Sequence, residues 1–278
     1  MKISILTENT VYKRGFLGEH GLSVLIETED RRYLFDTGQS NVFLHNAAKL
    51  QLSLKELDGV ILSHGHYDHC GGMENLPQQD KEIPVYIHQK AFEKKYAENL
   101  KTGELRYIGL ENTENWPEWA RLHKLQGGCN EIGAGIYLLS EIPYTTEFEP
   151  LPKGFWKDSE QSSSLELIAD TMEDEQLLVI EREEGLCVFA GCAHPGIINC
   201  LHYVQSIFPN IHIHSLLAGM HLKGCGRERV QKTILALQEL EIDRIIPLHC
   251  TGLRAIAAIR EALGSCCLLP EAGKQIEL

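Results

Sequence analysis

Positive charge is in short supply in this chain. Its 278 residues carry 26 Lys and Arg against 39 Asp and Glu, a formal net charge of −13. So acidic a surface repels a polyanion, which argues against nucleic acid as the main partner and for a small-molecule substrate. Cysteines in C-x-x-C spacing are absent. The nine Cys are scattered and odd in number, the usage expected of reduced thiols in a cytoplasmic protein and not of a disulfide framework. No apolar run reaches the roughly 18–20 residues a membrane span needs. Lys2, Glu8, Lys13 and Arg14 interrupt the start, where a secretory signal would place an apolar stretch. Repeats and low-complexity tracts are also missing. What remains is a chain 43% hydrophobic, long enough for a well-buried core. Oligomeric state is left open, a homo-oligomer included.

Histidine, by contrast, is concentrated. Ser63 to Gly72 reads Ser-His-Gly-His-Tyr-Asp-His-Cys-Gly-Gly, so His64, His66, Asp68 and His69 form an H-x-H-x-D-H pattern. Gly59-Val60-Ile61-Leu62 before it is a short apolar run expected to be a buried strand, so the pattern falls on the loop leaving a strand's end. Imidazole nitrogens two residues apart can close on one ion, and the Asp-His pair can reach a second. Nitrogen donors with a hard carboxylate suit zinc, iron or manganese.

This pattern resembles the metallo-β-lactamase superfamily, and the resemblance runs over most of the chain. Its other marks are Phe35-Asp36-Thr37-Gly38, Gly191-Cys192-Ala193-His194 and Pro247-Leu248-His249-Cys250-Thr251-Gly252. Gly18-Glu19-His20-Gly21-Leu22-Ser23 and Ala218-Gly219-Met220-His221-Leu222 are similar to a prokaryotic branch labelled as related to a dihydropterin ribofuranosyl-aminobenzene phosphate synthase. The resemblance implies an α+β fold, a four-layer αβ/βα sandwich, with a centre of two divalent metal ions, zinc in first place and iron or manganese as alternatives. It implies that Asp36 braces the metal loop without ligating. It implies that His249 is a ligand and that His221 stands beside the metals as proton donor to the leaving group, with ligation by His221 as the alternative. The chain departs from the superfamily pattern at Cys192, which stands where many members have a bridging Asp. Either His194 supplies the missing imidazole, with Cys192 a thiolate ligand or merely nearby, or Asp174 or Glu175 replaces the histidine. His20 is expected either at the site or as an ordinary loop residue.

Strands are expected at Lys2–Leu6, Leu22–Thr28, Arg32–Phe35, Ile83–His88, Ile136–Ser140, Leu165–Ile168, Leu177–Glu181, Leu186–Phe189, Leu216–Ala218, Arg244–Leu248 and Gln275–Leu278. Helices are expected over Ser40–Leu50, Gln89–Leu100, Pro195–Ile207, from Arg227, and over Leu253–Leu263. The Ser53-Leu54-Lys55-Glu56 capping box predicts a short helical turn. Residues from about 101 to 163, with Trp116, Trp119 and Phe155-Trp156, read as an insertion near the active-site face. Its aromatic rings would either stack on a substrate or form a satellite core. The 278 residues are otherwise expected to make a single domain.

The function expected is that of a metal-dependent hydrolase acting on a small phosphoester or cyclic phosphate. Asp68 would hold the second ion and orient the attacking water, and His221 would protonate the leaving group. The alternatives are a pterin-related transferase of the branch just named and a non-haem di-iron redox or sensor protein.

Overall fold

The computed structural model describes residues 1–159 and 166–278. In chain order the first half runs β1 (Lys2–Thr7), β2 (Ser23–Glu27), β3 (Arg32–Phe35), α1 (Val42–Lys49), β4 (Gly59–Ile61), α2 (Tyr67–Cys70), β5 (Ile83–His88), β6 (Lys95–Glu98), β7 (Leu105–Tyr107) and β8 (Ala120–Leu125). The second half runs β9 (Gly128–Gly133), β10 (Ile136–Ser140), β11 (Phe155–Asp158), β12 (Leu167–Ala169), β13 (Gln176–Arg182), β14 (Gly185–Ala190), α3 (Ile197–Ile207), β15 (Ile213–Gly219), α4 (Arg227–Glu239), β16 (Arg244–Leu248), α5 (Leu253–Leu263) and β17 (Gln275–Glu277). Residues 160–163 of the expected insertion and Leu165 of the expected strand lie outside the described residues.

Two mixed sheets carry the architecture, ordered β17-β1-β2-β3-β4-β5-β8 and β16-β15-β14-β13-β10-β9. Strand alternation assigns their faces. On β2, Val24 and Ile26 point inward to meet the second sheet, while Leu25 points outward under α1. The inner faces meet in one core, where Phe35 and Ile61 of the first sheet pack with Leu178, Phe189, Leu217 and Ile246 of the second. Outside the first sheet, Phe43 and Ala47 of α1 cover Leu25, Leu34 and Val60. Outside the second, Ile197, Leu201 and Val204 of α3, Leu237 of α4 and Ile259 of α5 cover Val179, Val188 and Leu216. Every residue of β14 is buried, as a central strand covered on both faces requires. The result is the expected four-layer αβ/βα sandwich.

Three expectations need correction. Ser53–Glu56 forms no helix; Ser53 Oγ instead accepts the nearby Lys55 N–H, in a local turn. Residues 89–100 are not one helix but a single 3-10 turn, Gln89–Phe92, followed by β6. Tertiary pairing overrides helical spacing here: β6 lies between β7 and β11, and Lys95 turns inward to two buried carboxylates. The stretch from 101 to 163 supplies β8 to the first sheet and β9 and β10 to the second. Only β7 and β11 of it belong to a small third sheet, β12-β11-β6-β7, that reaches the site. Trp119 is buried in the outer core of the first sheet with Trp116 packed against it, so neither stacks at the site.

Candidate metal centre

Five strand ends deliver the candidate residues to one edge of the sandwich. Asp36 follows β3, the His64 loop follows β4, Cys192-Ala193-His194 follows β14, His221 follows β15 by two residues, and His249 follows β16. Asp36, Ala193, His221 and His249 have φ values of 56°, 50°, 46° and 52°. The left-handed region costs a non-glycine residue, and its recurrence at these strand ends marks backbone bent to aim side chains at a shared point. Close approach sets the glycines too. A Cβ on Gly65 would lie 2.1 Å from the Ala91 carbonyl oxygen, and one on Gly191 would lie 2.1 Å from Ser63 Oγ.

The donors fall into two groups. His64 Nε2 and His66 Nδ1 are 3.0 Å apart, and His194 closes on them, its ring 4.8 Å from that of His64 and 4.9 Å from that of His66. Beside them, the Asp68 carboxylate lies 3.3 Å from His249 Nε2 and 3.9 Å from His69 Nε2. Cys192 Sγ stands between the groups: it is 3.2 Å from His69 Nε2 and within 4.8 Å of the donor atoms of His64, His194 and His249. His20, whose role was open, reaches Asp68 at 3.2 Å and packs 4.9 Å from the His249 ring. His221 lies 4.6 Å ring to ring from His194 and 5.6 Å from Phe155, whose ring also stacks on His66.

Hydrogen bonding decides which nitrogen of each ring is free. His69 Nδ1–H donates to Asp36 at 2.6 Å, His194 Nδ1–H to Glu175 at 2.6 Å, and His249 Nδ1–H to the Asn9 side-chain oxygen at 2.8 Å. Ser63 Oγ–H donates to Asp36 at 2.8 Å and so accepts from His64 Nδ1 at 2.9 Å. Each partner leaves the Nε2 lone pair turned into the site, the arrangement that fixes tautomer and ring orientation in metal centres. Glu175 also accepts the backbone N–H groups of Cys192 and Ala193, so it orients His194 and does not replace it. Asp174 is likewise a brace, accepting the Gly65 N–H at 2.8 Å and pairing with Lys95 at 3.0 Å. Asp36 has the bracing role expected of it.

Burial and the neighbouring imidazoles push His64 and His66 well below the ordinary histidine range, so both are neutral donors at pH 7. Burial opposes a charged His69, but Asp36 and Asp68 outweigh it and raise that ring to about 9. Burial likewise opposes an ionised Asp68, yet His69 and His249 hold its carboxyl far below the usual range. Burial, then contact with Cys250, pushes the Cys192 thiol up.

A divalent ion fits this set. The Nε2 atom of His66 is buried without a hydrogen-bond partner, a costly state unless something else engages the ring. Nitrogens about 2 Å from a shared zinc sit about 3.3 Å from one another, close to the 3.0 Å of His64 and His66.

A buried cluster of imidazoles with carboxylate and thiol, at one edge of an αβ/βα sandwich, defines the metal-dependent hydrolase fold of the metallo-β-lactamases. The chain belongs to the metallo-beta-lactamase superfamily, whose family model matches residues 17–249. It is 33% identical over 269 residues to the 7,8-dihydropterin-6-methyl-4-(beta-D-ribofuranosyl)-aminobenzene-5'-phosphate synthase of Methanocaldococcus jannaschii, covering 92% of this chain and 89% of that one. An uncharacterised protein of the same organism is 31% identical over 262 residues, 93% of this chain and 94% of its own. The crystal structure of a metal-dependent hydrolase of the beta-lactamase superfamily superposes with a TM-score of 0.85 at 33% identity, over 100% of this chain and 99% of the other. Among the described residues no helix is long and apolar enough to cross a membrane.

Sequence reasoning passed over several residues that shape the site. Glu8 accepts the His249 backbone N–H, Asn9 orients the His249 ring, and Lys95 anchors Asp174. Glu8 and Asn9 lie some 240 positions from their partner, beyond any local pattern. Lys95 looked like the polar face of a helix.

Proposed function

We propose that this protein is a dinuclear metallo-hydrolase of small phosphoesters or cyclic phosphates. The observation that carries the reading is the pair of adjacent donor groups with Cys192 in reach of both. His64, His66 and His194 would hold one ion, and Asp68, His69 and His249 the other, with Cys192 in the place of the bridging carboxylate common in the superfamily. When bound, the ions supply a water of lowered pKa and polarisation of the phosphoryl oxygen, and nitrogen and sulfur donors favour zinc over manganese or iron. Asp68, held ionised, orients the water. Asp36, Glu175 and Asn9 keep the imidazoles aimed, and Phe155 shields the His66 side from bulk water. His221, partly exposed and beside His194, would carry the proton to the departing oxygen. A thiolate at Cys192 requires that its proton leave as metal binds.

His66→Ala tests the assignment. Metal analysis of the purified protein is expected to show ion lost, and turnover of bis(p-nitrophenyl) phosphate to vanish. Full metal content together with full turnover in that variant refutes the dinuclear reading, and the same analysis of the wild type separates zinc from iron.

A second reading is favoured by the 33% identical relative from Methanocaldococcus jannaschii, a synthase. In it the same centre would serve a transferase joining a ribosyl phosphate to an aromatic acid. Product formed from a phosphoribosyl donor and an aminobenzoate or pterin, with no phosphoester hydrolysed, would select it.

A further inference from the structure

A cavity of about 1130 Å³ adjoins the proposed centre on its His249 side. Its inner end is formed by Asn9 and the buried His249, whose Nε2 lies 3.3 Å from the Asp68 carboxylate of the proposed centre. Its wall is apolar, built by Val230 and Ile234 of α4 and Ile256 of α5. Its outer part carries Lys223, Arg227 and Arg254, all exposed.

The charge of this cavity is inverted relative to the chain. Three cations line it in a protein of net charge −13. The one carboxylate in the lining is Glu8, which is committed to Thr10 and to the His249 backbone. Among the described residues, Lys223, Arg227 and Arg254 have no ion-pair partner, whereas Arg229 and Lys232, on α4 with Arg227, pair with Glu149 and Glu228. The first turn of α5, Leu253–Ala255, borders the cavity behind Gly252, which supplies no side-chain cap. Unpaired cations clustered beside an apolar wall match a ligand with an anionic end and an apolar body.

We propose that this cavity binds the part of the substrate remote from the reacting bond and selects small organic phosphoesters bearing a second anionic group on an apolar, ring-sized body. The reacting end rests on the hydrolase reading above; the remote end rests on the cavity alone. A volume slightly above the usual range for small-ligand sites, about 300–1,000 Å³, accommodates such a body together with its distal anion.

Non-hydrolysable probes separate the two claims. Phenylphosphonate offers one anion; benzene-1,4-diphosphonate and biphenyl-4,4'-diphosphonate offer a second at two distances. Calorimetric titration of the metal-loaded wild type is expected to show at least one diphosphonate binding about tenfold or more tightly than phenylphosphonate, the scale of a charge-assisted contact. K223A/R227A/R254A should lose that preference, keep its affinity for phenylphosphonate and keep its turnover of bis(p-nitrophenyl) phosphate. The three side chains are exposed, and R227A and R254A taken singly carry the test should the triple variant misfold. Equal affinity of the wild type for all three probes, or the preference surviving in the variants, overturns the proposal. A wild type that prefers a diphosphonate yet hydrolyses no phosphoester refutes the hydrolase reading and leaves the subsite standing.

Discussion

His221 and His194 are neighbours, 4.6 Å ring to ring, yet their surroundings assign them different work. His194 is clamped by Glu175 and buried, a ring with one nitrogen spent and the other fixed. His221 is partly exposed, and its Nδ1 makes no hydrogen bond, so no clamp fixes this ring. That contrast predicts the behaviour of His221→Ala. Metal content should stay at the wild-type level. Turnover of phosphodiesters with alkyl leaving groups should fall about a hundredfold or more, the usual contribution of a general acid. Esters of 4-nitrophenol, whose leaving group needs no proton, should slow far less. Equal slowing of both series, read from kcat, would remove His221 as the acid.

Among the elements, β6 has an influence that its length conceals. Lys95 projects from it into the interior and meets Asp170 and Asp174 at 2.9 and 3.0 Å, and Asp174 in turn holds the Gly65 N–H between the first two histidines. A four-residue strand thus ties the small third sheet to the metal loop through one buried ion cluster. Burial alone would favour neutral groups, but attraction to Lys95 holds Asp174 well below the usual carboxylate range, and attraction to the two carboxylates raises Lys95. A carboxyl depressed on folding stabilises the native state above its unfolded pKa, near 3.9, and loses that contribution as pH falls through the folded value. Asp174→Asn leaves Lys95 with one counter-charge and should cost about 3–5 kcal/mol at pH 7. The gap in melting temperature between variant and wild type should be widest near neutrality and shrink below about pH 4, where the unfolded chain takes up a proton on Asp174 while the folded protein still keeps the charge. A gap independent of pH would show that the ion cluster is not its source.

For the molecule as a whole, what matters is that neither sheet holds a complete site. The His64 loop leaves the first sheet, while His194, His221 and His249 leave the second, so the contact between inner faces sets the distances across the centre. Phe189 is fully buried in that contact, its ring 6.2 Å from Phe35 of the opposite sheet. Phe189→Ala should destabilise by about 3–5 kcal/mol. It should appear as a lower denaturant midpoint with an unchanged slope. A loss under 1 kcal/mol would mean that the two sheets are held mainly by something other than their shared core.

Most strands of the two large sheets and the His64 loop were legible in the sequence, because a β-branched run and a dense ligand pattern are local signals that survive folding; β11 (Phe155–Asp158) was not. The helices over 42–49, 197–207, 227–239 and 253–263 were legible for the same reason. The region from residue 89 to 135 was not. Its residues pair with strands distant in the chain, and a buried Lys95 contradicts every local rule until its two carboxylates are in place. The division of labour at the site was hidden for a related reason. Sequence alone named His64, His66, Asp68, His69, His194 and His249 as donors and left Asp174 and Glu175 as alternatives to His194. Only the tertiary structure turned the two acids into braces, set Cys192 between the donor groups and brought Glu8 and Asn9 against His249. Donor chemistry is a property of residue type and is written locally; which lone pair faces which neighbour depends on backbones from both sheets meeting at one edge.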